Sequence, residues 1–151
     1  NTSHTEQEQT MAITRGYRQL VDEAMTEVTT YSVEQVRQRI DADPALQIVD
    51  IRDIRELSDG TIVGATHAPR GMLEFWVDPE SPYHKPLFAD EAREFVLFCG
   101  AGWRSALAAK ALQDMGMTNV AHIDGGWAAW TRAGAPTESL EDNKARRKAK
   151  P

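Results

Sequence analysis

The one cysteine of the chain, Cys99, closes the apolar segment of the run Phe95-Val96-Leu97-Phe98-Cys99-Gly100-Ala101-Gly102-Trp103-Arg104-Ser105. Phe95 to Phe98 read as a buried strand, the glycines as a turn, and Trp103 onward as the start of a helix. A thiol at that junction faces backbone N–H groups and the positive end of a helix dipole. Such a setting favours the thiolate, the nucleophilic form of the residue. Four residues separate Cys99 from Arg104. A loop this short, with glycine at 100 and 102, can turn its amides inward as a small anion cradle. Ala101 and Trp103 complete it, Arg104 adds a fixed charge, and Ser105 adds a hydroxyl. The cradle suits a thiolate, a persulfide anion or a small anionic sulfur donor such as thiosulfate. The blander reading is an inert cysteine buried at a strand end. The glycines, Arg104, Ser105 and the helix start together weigh against it.

Other candidate residues carry less chemistry. Asp50 and Arg52 follow an apolar strand, with Glu56 shortly after. Asp50 could orient Arg104, but ion pairs among Asp50, Arg52 and Glu56 that fix the loop after the strand are the favoured reading. Trp103 either walls the site or packs on the sheet edge. Trp76, Trp127 and Trp130 suit packing, and Asp124-Gly125-Gly126 suits a backbone turn. His67, His84 and His122 are scattered, and His122, in a strand, is not expected to be a ligand. No His, Cys, Asp or Glu grouping has metal spacing, and nothing calls for a cofactor.

The elements that must position the cysteine follow from periodicity. Ile13, Tyr17, Leu20, Val21, Ala24, Met25 and Val28 recur at helical spacing, so residues 11–28 form an amphipathic helix ahead of the main domain, expected to dock on it. Thr29 to Tyr31 is a short strand. Ser32 caps a helix to about Ile40. Gln47 to Ile51 is a strand, 52–64 a polar loop, and Ala65 to Ala68 a short strand stopped by Pro69. Met72 to Trp76 is a short helix, and 78–86 is irregular. Glu94 to Phe98 is the most apolar strand. Trp103 to Met115 is a helix, Asn119 to Ile123 the last strand, and Gly126 to Ala133 a short helix. Alternating strands and helices imply an α/β fold with a mainly parallel sheet. In open sheets of this kind, sites form beyond the carboxyl ends of the strands, where Cys99 lies.

Composition narrows the functions. The 151 residues suffice for one domain. No apolar run approaches the roughly 20 residues of a membrane span, and no signal peptide is visible at the polar start. A single cysteine excludes an intrachain disulfide, and a reducing cytoplasm is the default compartment for an activated thiol. The net charge is −6, yet Lys144, Arg146, Arg147, Lys148 and Lys150 crowd the C-terminus. The rest is strongly acidic, which argues against nucleic-acid binding. Residues 138–151 read as a basic, disordered tail.

Several motifs taken in order make a specific pattern. They are Ile48-Val49-Asp50-Ile51-Arg52 with Glu56, Gly60 through Gly64-Ala65, the C-x-x-G-x-R-S loop from Cys99 to Ser105, and Asp124-Gly125-Gly126-Trp127 with Trp130 and Gly134. Over residues 30–136 the chain resembles the single-domain rhodanese family of sulfurtransferases. The resemblance implies a three-layer α/β/α fold on a five-stranded parallel sheet, over residues 29–137. It implies that Cys99 accepts a sulfane sulfur, becomes a persulfide, and passes the sulfur to a thiophilic acceptor such as cyanide or a thiol, small or on a protein. Residues 100–104 carry over as the persulfide cradle. Two positions depart from the family pattern. Thr61 stands where the family often has His, and Ala101 where it often has Ser, which removes a hydroxyl beside the sulfur and bears on donor preference. A cysteine phosphatase or arsenate reductase would need a loop one residue longer, and a redox reductase a second cysteine. A non-catalytic binding module would usually lack the cysteine.

Overall fold

The computed structural model describes residues 12–149. Four-residue apolar strands occupy its centre. β1 (Thr29–Tyr31), β2 (Gln47–Asp50), β4 (Thr66–His67), β5 (Phe95–Phe98) and β6 (Val120–Ile123) form one sheet in the order β1-β6-β5-β2-β4. Every pairing in it is parallel, with Thr30 opposite His122 and Asp50 opposite Phe98. Side chains alternate across the strands. Phe95 and Leu97 face one core with Val49, Leu73, Ala108, Leu112 and Val120, while Val96 and Phe98 face the other with Val36, Ile48, Ala121, Ile123 and Trp130. A sheet covered on both faces reads as continuous apolar runs, which is why β5 is buried throughout.

The helices provide those two covers. α2 (Val33–Ala42) starts at a capping box in which Gln35 N–H donates to Ser32 Oγ at 3.1 Å and Ser32 N–H donates to Gln35 Oε1 at 2.8 Å. α3 (Leu73–Val77) follows a 3-10 turn over Arg70–Met72, α4 (Trp103–Asp114) follows Cys99, and α5 (Gly126–Arg132) follows β6. The expected N-terminal helix is α1 (Tyr17–Glu27), with Gly16 at its N-cap. Residues 12–16 are not helical, and residue 11, where the expected helix began, lies outside the described residues. α1 buries Val21 and Ala24 against Ala106 of α4, so it docks on the helix that carries the cysteine loop.

The chain departs from expectation in three places. The loop after β2 contains a 3-10 turn, Ile54–Asp59, capped by Asp53 and Glu56. β3 (Thr61–Ile62) pairs antiparallel with β7 (Thr137–Glu138) as a separate two-stranded sheet. The third is a correction: residues 140–149, expected as a disordered tail, form α6 (Leu140–Ala149). No apolar stripe announces this helix, because polar bonds dock it. Asn143 Nδ2–H donates to Ala65 O and to Glu138 Oε2, each at 2.9 Å, and Arg146 Nε–H donates to Glu138 Oε1 at 3.0 Å. Burial opposes the charge on Glu138, but Gly64 N–H, Arg146 and Asn143 outweigh it and hold the carboxyl below its ordinary range. Among the described residues, no helix is long and apolar enough to cross a membrane.

Candidate functional site

Cys99 is the first residue beyond β5, and α4 starts four residues later. The sequence turns sharply there because Gly102 adopts φ +100°, which side-chain-bearing residues rarely reach. The turn delivers Gly102 N–H to the sulfur, 3.1 Å from Sγ. Cys99 is 1% exposed, so the sulfur sits under the loop. Ser105 Oγ lies 3.6 Å from Sγ.

The loop is held from behind by the Gly125-Gly126 turn. Trp127 N–H donates to Cys99 O at 2.7 Å, and Ala128 N–H donates to Gly100 O at 3.0 Å. A Cβ on Gly126 would stand 2.3 Å from Cys99 O, so the close approach requires glycine. Asp124-Gly125-Gly126 thus serves a backbone turn, as expected, and that turn braces the cysteine.

Arg104 lies at the rim and is paired with Glu56. Nη1 and Nη2 donate to Oε1 and Oε2 at 2.7 and 3.0 Å. Glu56 and then the Cys99 sulfur raise the pKa of the guanidinium above its ordinary value, and Arg104 holds the Glu56 carboxyl below its own. Asp50 does not reach Arg104. It is engaged in a buried pair with Arg52, at 2.7 Å between Oδ2 and Nη2, and it accepts Thr61 Oγ1–H at 2.8 Å. Arg52 also donates to Gly60 O at 2.8 Å and lies over the Trp127 ring at 4.6 Å. Asp50 and Arg52 therefore fix the turn that presents Glu56, and Glu56 fixes Arg104.

Trp103 packs not on the sheet edge but on the N-terminal helix. Its half-exposed ring packs against Tyr17 of α1 at 5.0 Å between centroids, with Arg18 over it at 5.3 Å. Trp130 is fully buried and donates its indole N–H to Pro136 O at 2.8 Å.

Sequence reasoning weighed His122 only as a ligand and Thr30 only as part of a strand, and joined neither to the cysteine. His122 is 1% exposed on β6, with Nδ1 at 2.9 Å from Ser105 Oγ and Nε2 at 3.0 Å from Thr30 Oγ1. Desolvation lowers its pKa from 6.5 to about 4. A lone histidine among Val120, Ala121 and Ile123 carries no motif. The one available signal was that a polar ring in an apolar strand must find partners.

The model of the Rhodanese-like domain family matches residues 32–133. Thiosulfate sulfurtransferase GlpE of Shewanella oneidensis is 35% identical over 104 residues, covering 69% of this chain and 93% of that protein. The putative sulfur carrier protein YrkF of Bacillus subtilis is 28% identical over 109 residues; the match covers 72% of this chain but 54%, about half, of that relative's length. A solved structure from Rhodopseudomonas palustris, described as a protein of unknown function and possible tyrosine phosphatase, aligns with a TM-score of 0.80 at 48% identity over 85% of this chain and 98% of that one. With the family match extending over most of its length, and with a parallel five-stranded sheet ending at Cys99, the chain belongs to the rhodanese-like domain family.

Proposed function

We propose that the chain is a sulfurtransferase that carries sulfane sulfur on Cys99 as a persulfide. The observation that carries this reading is the Gly102 N–H aimed at Cys99 Sγ, 3.1 Å away, in a loop closed by Arg104. A fixed N–H in a water-poor loop steadies negative charge on sulfur. With thiosulfate as donor, the Cys99 thiolate attacks the outer sulfur. The new S–S bond forms as the old one breaks, and sulfite leaves with the bonding pair. The persulfide keeps one negative charge. Cyanide or a thiolate then attacks its terminal sulfur and Cys99 returns as thiolate, so no proton is exchanged between anionic partners. Gly100 and Ala101 span the loop, and Arg104 meets the anionic donor at the rim. The sulfurtransferase and sulfur-carrier names of the relatives support the chemistry. A compartment that keeps the thiol reduced, such as the cytoplasm, suits it.

The description of the Rhodopseudomonas palustris protein raises phosphate-ester hydrolysis as a second reading. The loop length argues against it here. Four residues between Cys99 and Arg104 form a ring one residue smaller than cysteine phosphatases use, better sized for one sulfur than for a tetrahedral oxyanion.

The test is intact-protein mass measurement after incubation with thiosulfate, with and without reductant. Wild type should gain one sulfur mass that reductant removes, and Cys99→Ser should gain nothing while folding normally. No gain on folded, reduced wild type, from thiosulfate or from a polysulfide, would sink the reading.

A further inference from the structure

The sulfur of Cys99 lies at the end of a line of hydrogen-bonding groups that crosses the sheet. Ser105 Oγ is 3.6 Å from Sγ, His122 Nδ1 is 2.9 Å from Ser105 Oγ, and Thr30 Oγ1 is 3.0 Å from His122 Nε2. Ser105 comes from α4, His122 from β6, and Thr30 from β1, the edge strand, directly opposite His122 in register. Cys99, Ser105 and His122 are at most 1% exposed, whereas Thr30 is partly exposed. The line therefore runs from a buried sulfur to the rim of the sheet.

We propose that Ser105, His122 and Thr30 form a two-setting proton line, with His122 as a positioning residue that lets Ser105 serve both the thiol and the sulfur anion. Each hydroxyl has one proton to donate, and neutral imidazole has one N–H and one lone pair. With Cys99 as thiol, S–H donates to Ser105 Oγ, Ser105 O–H to His122 Nδ1, and His122 Nε2–H to Thr30 Oγ1. On ionisation the S–H bond breaks and its proton passes to Ser105 Oγ, as the serine proton moves to Nδ1. The Nε2 proton moves to Thr30 Oγ1, and the threonine proton leaves to water at the sheet edge. Every bond in the line is then reversed. Ser105 O–H donates to the thiolate, Nδ1–H donates to Ser105 Oγ, and Thr30 O–H donates to Nε2. One proton has left, and each buried group still has a partner.

Two further features fit. Burial keeps the ring neutral, and a neutral ring is the form with two interchangeable tautomers. Among the described residues, charge reaches the line from Arg104, paired with Glu56 beside the sulfur, and from Asp124, which acts on His122. None of them occupies the bonds between Ser105, His122 and Thr30. The other acceptors of the two hydroxyls, Gly102 O at 3.3 Å from Ser105 Oγ and Met25 Sδ at 3.7 Å from Thr30 Oγ1, lie farther off than the ring nitrogens at 2.9 and 3.0 Å.

The proposal rests on Cys99 being the reactive group of the proposed sulfur transfer, yet its test needs no sulfur donor. The probe is iodoacetamide on the full chain, with the rate of Cys99 alkylation followed from about pH 6 to pH 10 across the usual thiol range. Thr30→Val keeps the shape and removes the far hydroxyl, which lies beyond any contact with the sulfur. The expected result is a rate about fivefold lower near neutrality, the worth of one hydrogen bond, with the curves meeting at high pH where the thiolate forms regardless. Thr30→Ser should restore the wild-type curve, and His122→Gln should show a loss of the same shape. Thr30→Val and His122→Gln curves that superimpose on wild type, or fall equally at every pH, would overturn the line. Sulfur uptake from thiosulfate, measured separately, fails or succeeds on its own account.

Discussion

Glu56 grips Arg104 through both carboxylate oxygens, at 2.7 and 3.0 Å, on the rim above a buried sulfur. Both side chains are about two-fifths exposed, at 42% and 38%. A pair this wet contributes only about 0–1 kcal/mol to stability, so its geometry matters more for what approaches the sulfur. In the proposed sulfur transfer, an anionic donor would share the guanidinium with Glu56.

Arg104→Ala should therefore raise the KM for thiosulfate about tenfold, the loss of one charge-assisted hydrogen bond, with a small change in melting temperature. Steady-state kinetics at fixed ionic strength check this. An unchanged KM would show that Arg104 does not meet the donor.

The Asp50–Arg52 pair is of a different kind. Both side chains are almost fully buried, at 1% and 2% exposure. Asp50→Ala leaves a guanidinium without its counter-ion in the core, which costs about 3–5 kcal/mol. Urea unfolding should show a lower midpoint with an unchanged slope. A loss under about 1 kcal/mol would mean that the carbonyls of Gly60 and Glu56 suffice for Arg52.

Gly126→Ala and Gly134→Ala form a matched test of the brace behind the cysteine. Both glycines have positive φ, at +54° and +69°, but a Cβ on Gly134 meets nothing within 4 Å. Gly134→Ala should cost about 1 kcal/mol through backbone conformation alone. Gly126→Ala should cost more and also slow Cys99 alkylation, since it displaces Cys99 O. Equal effects of the two on stability and on alkylation would refute the brace.

Stability against pH reports on His122. Its folded pKa, about 4, lies below the unfolded value of 6.5. The unfolded chain therefore takes up a proton first as pH falls. The stabilisation from keeping the ring neutral is complete above about pH 6.5 and is lost on the way down to about pH 4, amounting to about 3 kcal/mol. Urea unfolding of wild type and His122→Gln should show a difference that shrinks over that window. A constant difference would place the folded pKa near its ordinary value.

The site's core was legible because its chemistry sits in contiguous sequence. A strand, two glycines, an arginine and a helix start can meet in few ways, and Gly102 N–H reaches Cys99 as that arrangement demands. The parallel sheet was legible because buried strands such as Phe95–Phe98 are apolar throughout. Contacts made across distant segments were not legible. Glu56 rather than Asp50 meets Arg104, 48 residues away, and Thr30 meets His122 at a separation of 92. Trp103 rests on Tyr17 from a helix outside the family match. α6 escaped notice because Asn143 and Glu138, not an apolar face, hold it in place.

The edge strand β1 lies outside the family-matched span, which starts at Ser32. An excised module with that boundary would lose Thr29 to Tyr31 and leave the backbone of β6 unpaired along one side. Bare strand edges template association with other chains. A minimal soluble fragment should therefore begin ahead of α1, so that Val21 and Ala24 continue to shield Ala106. Expression yields of fragments starting at 12 and at 32 would differ for that reason, even though every residue of the cysteine loop is present in both.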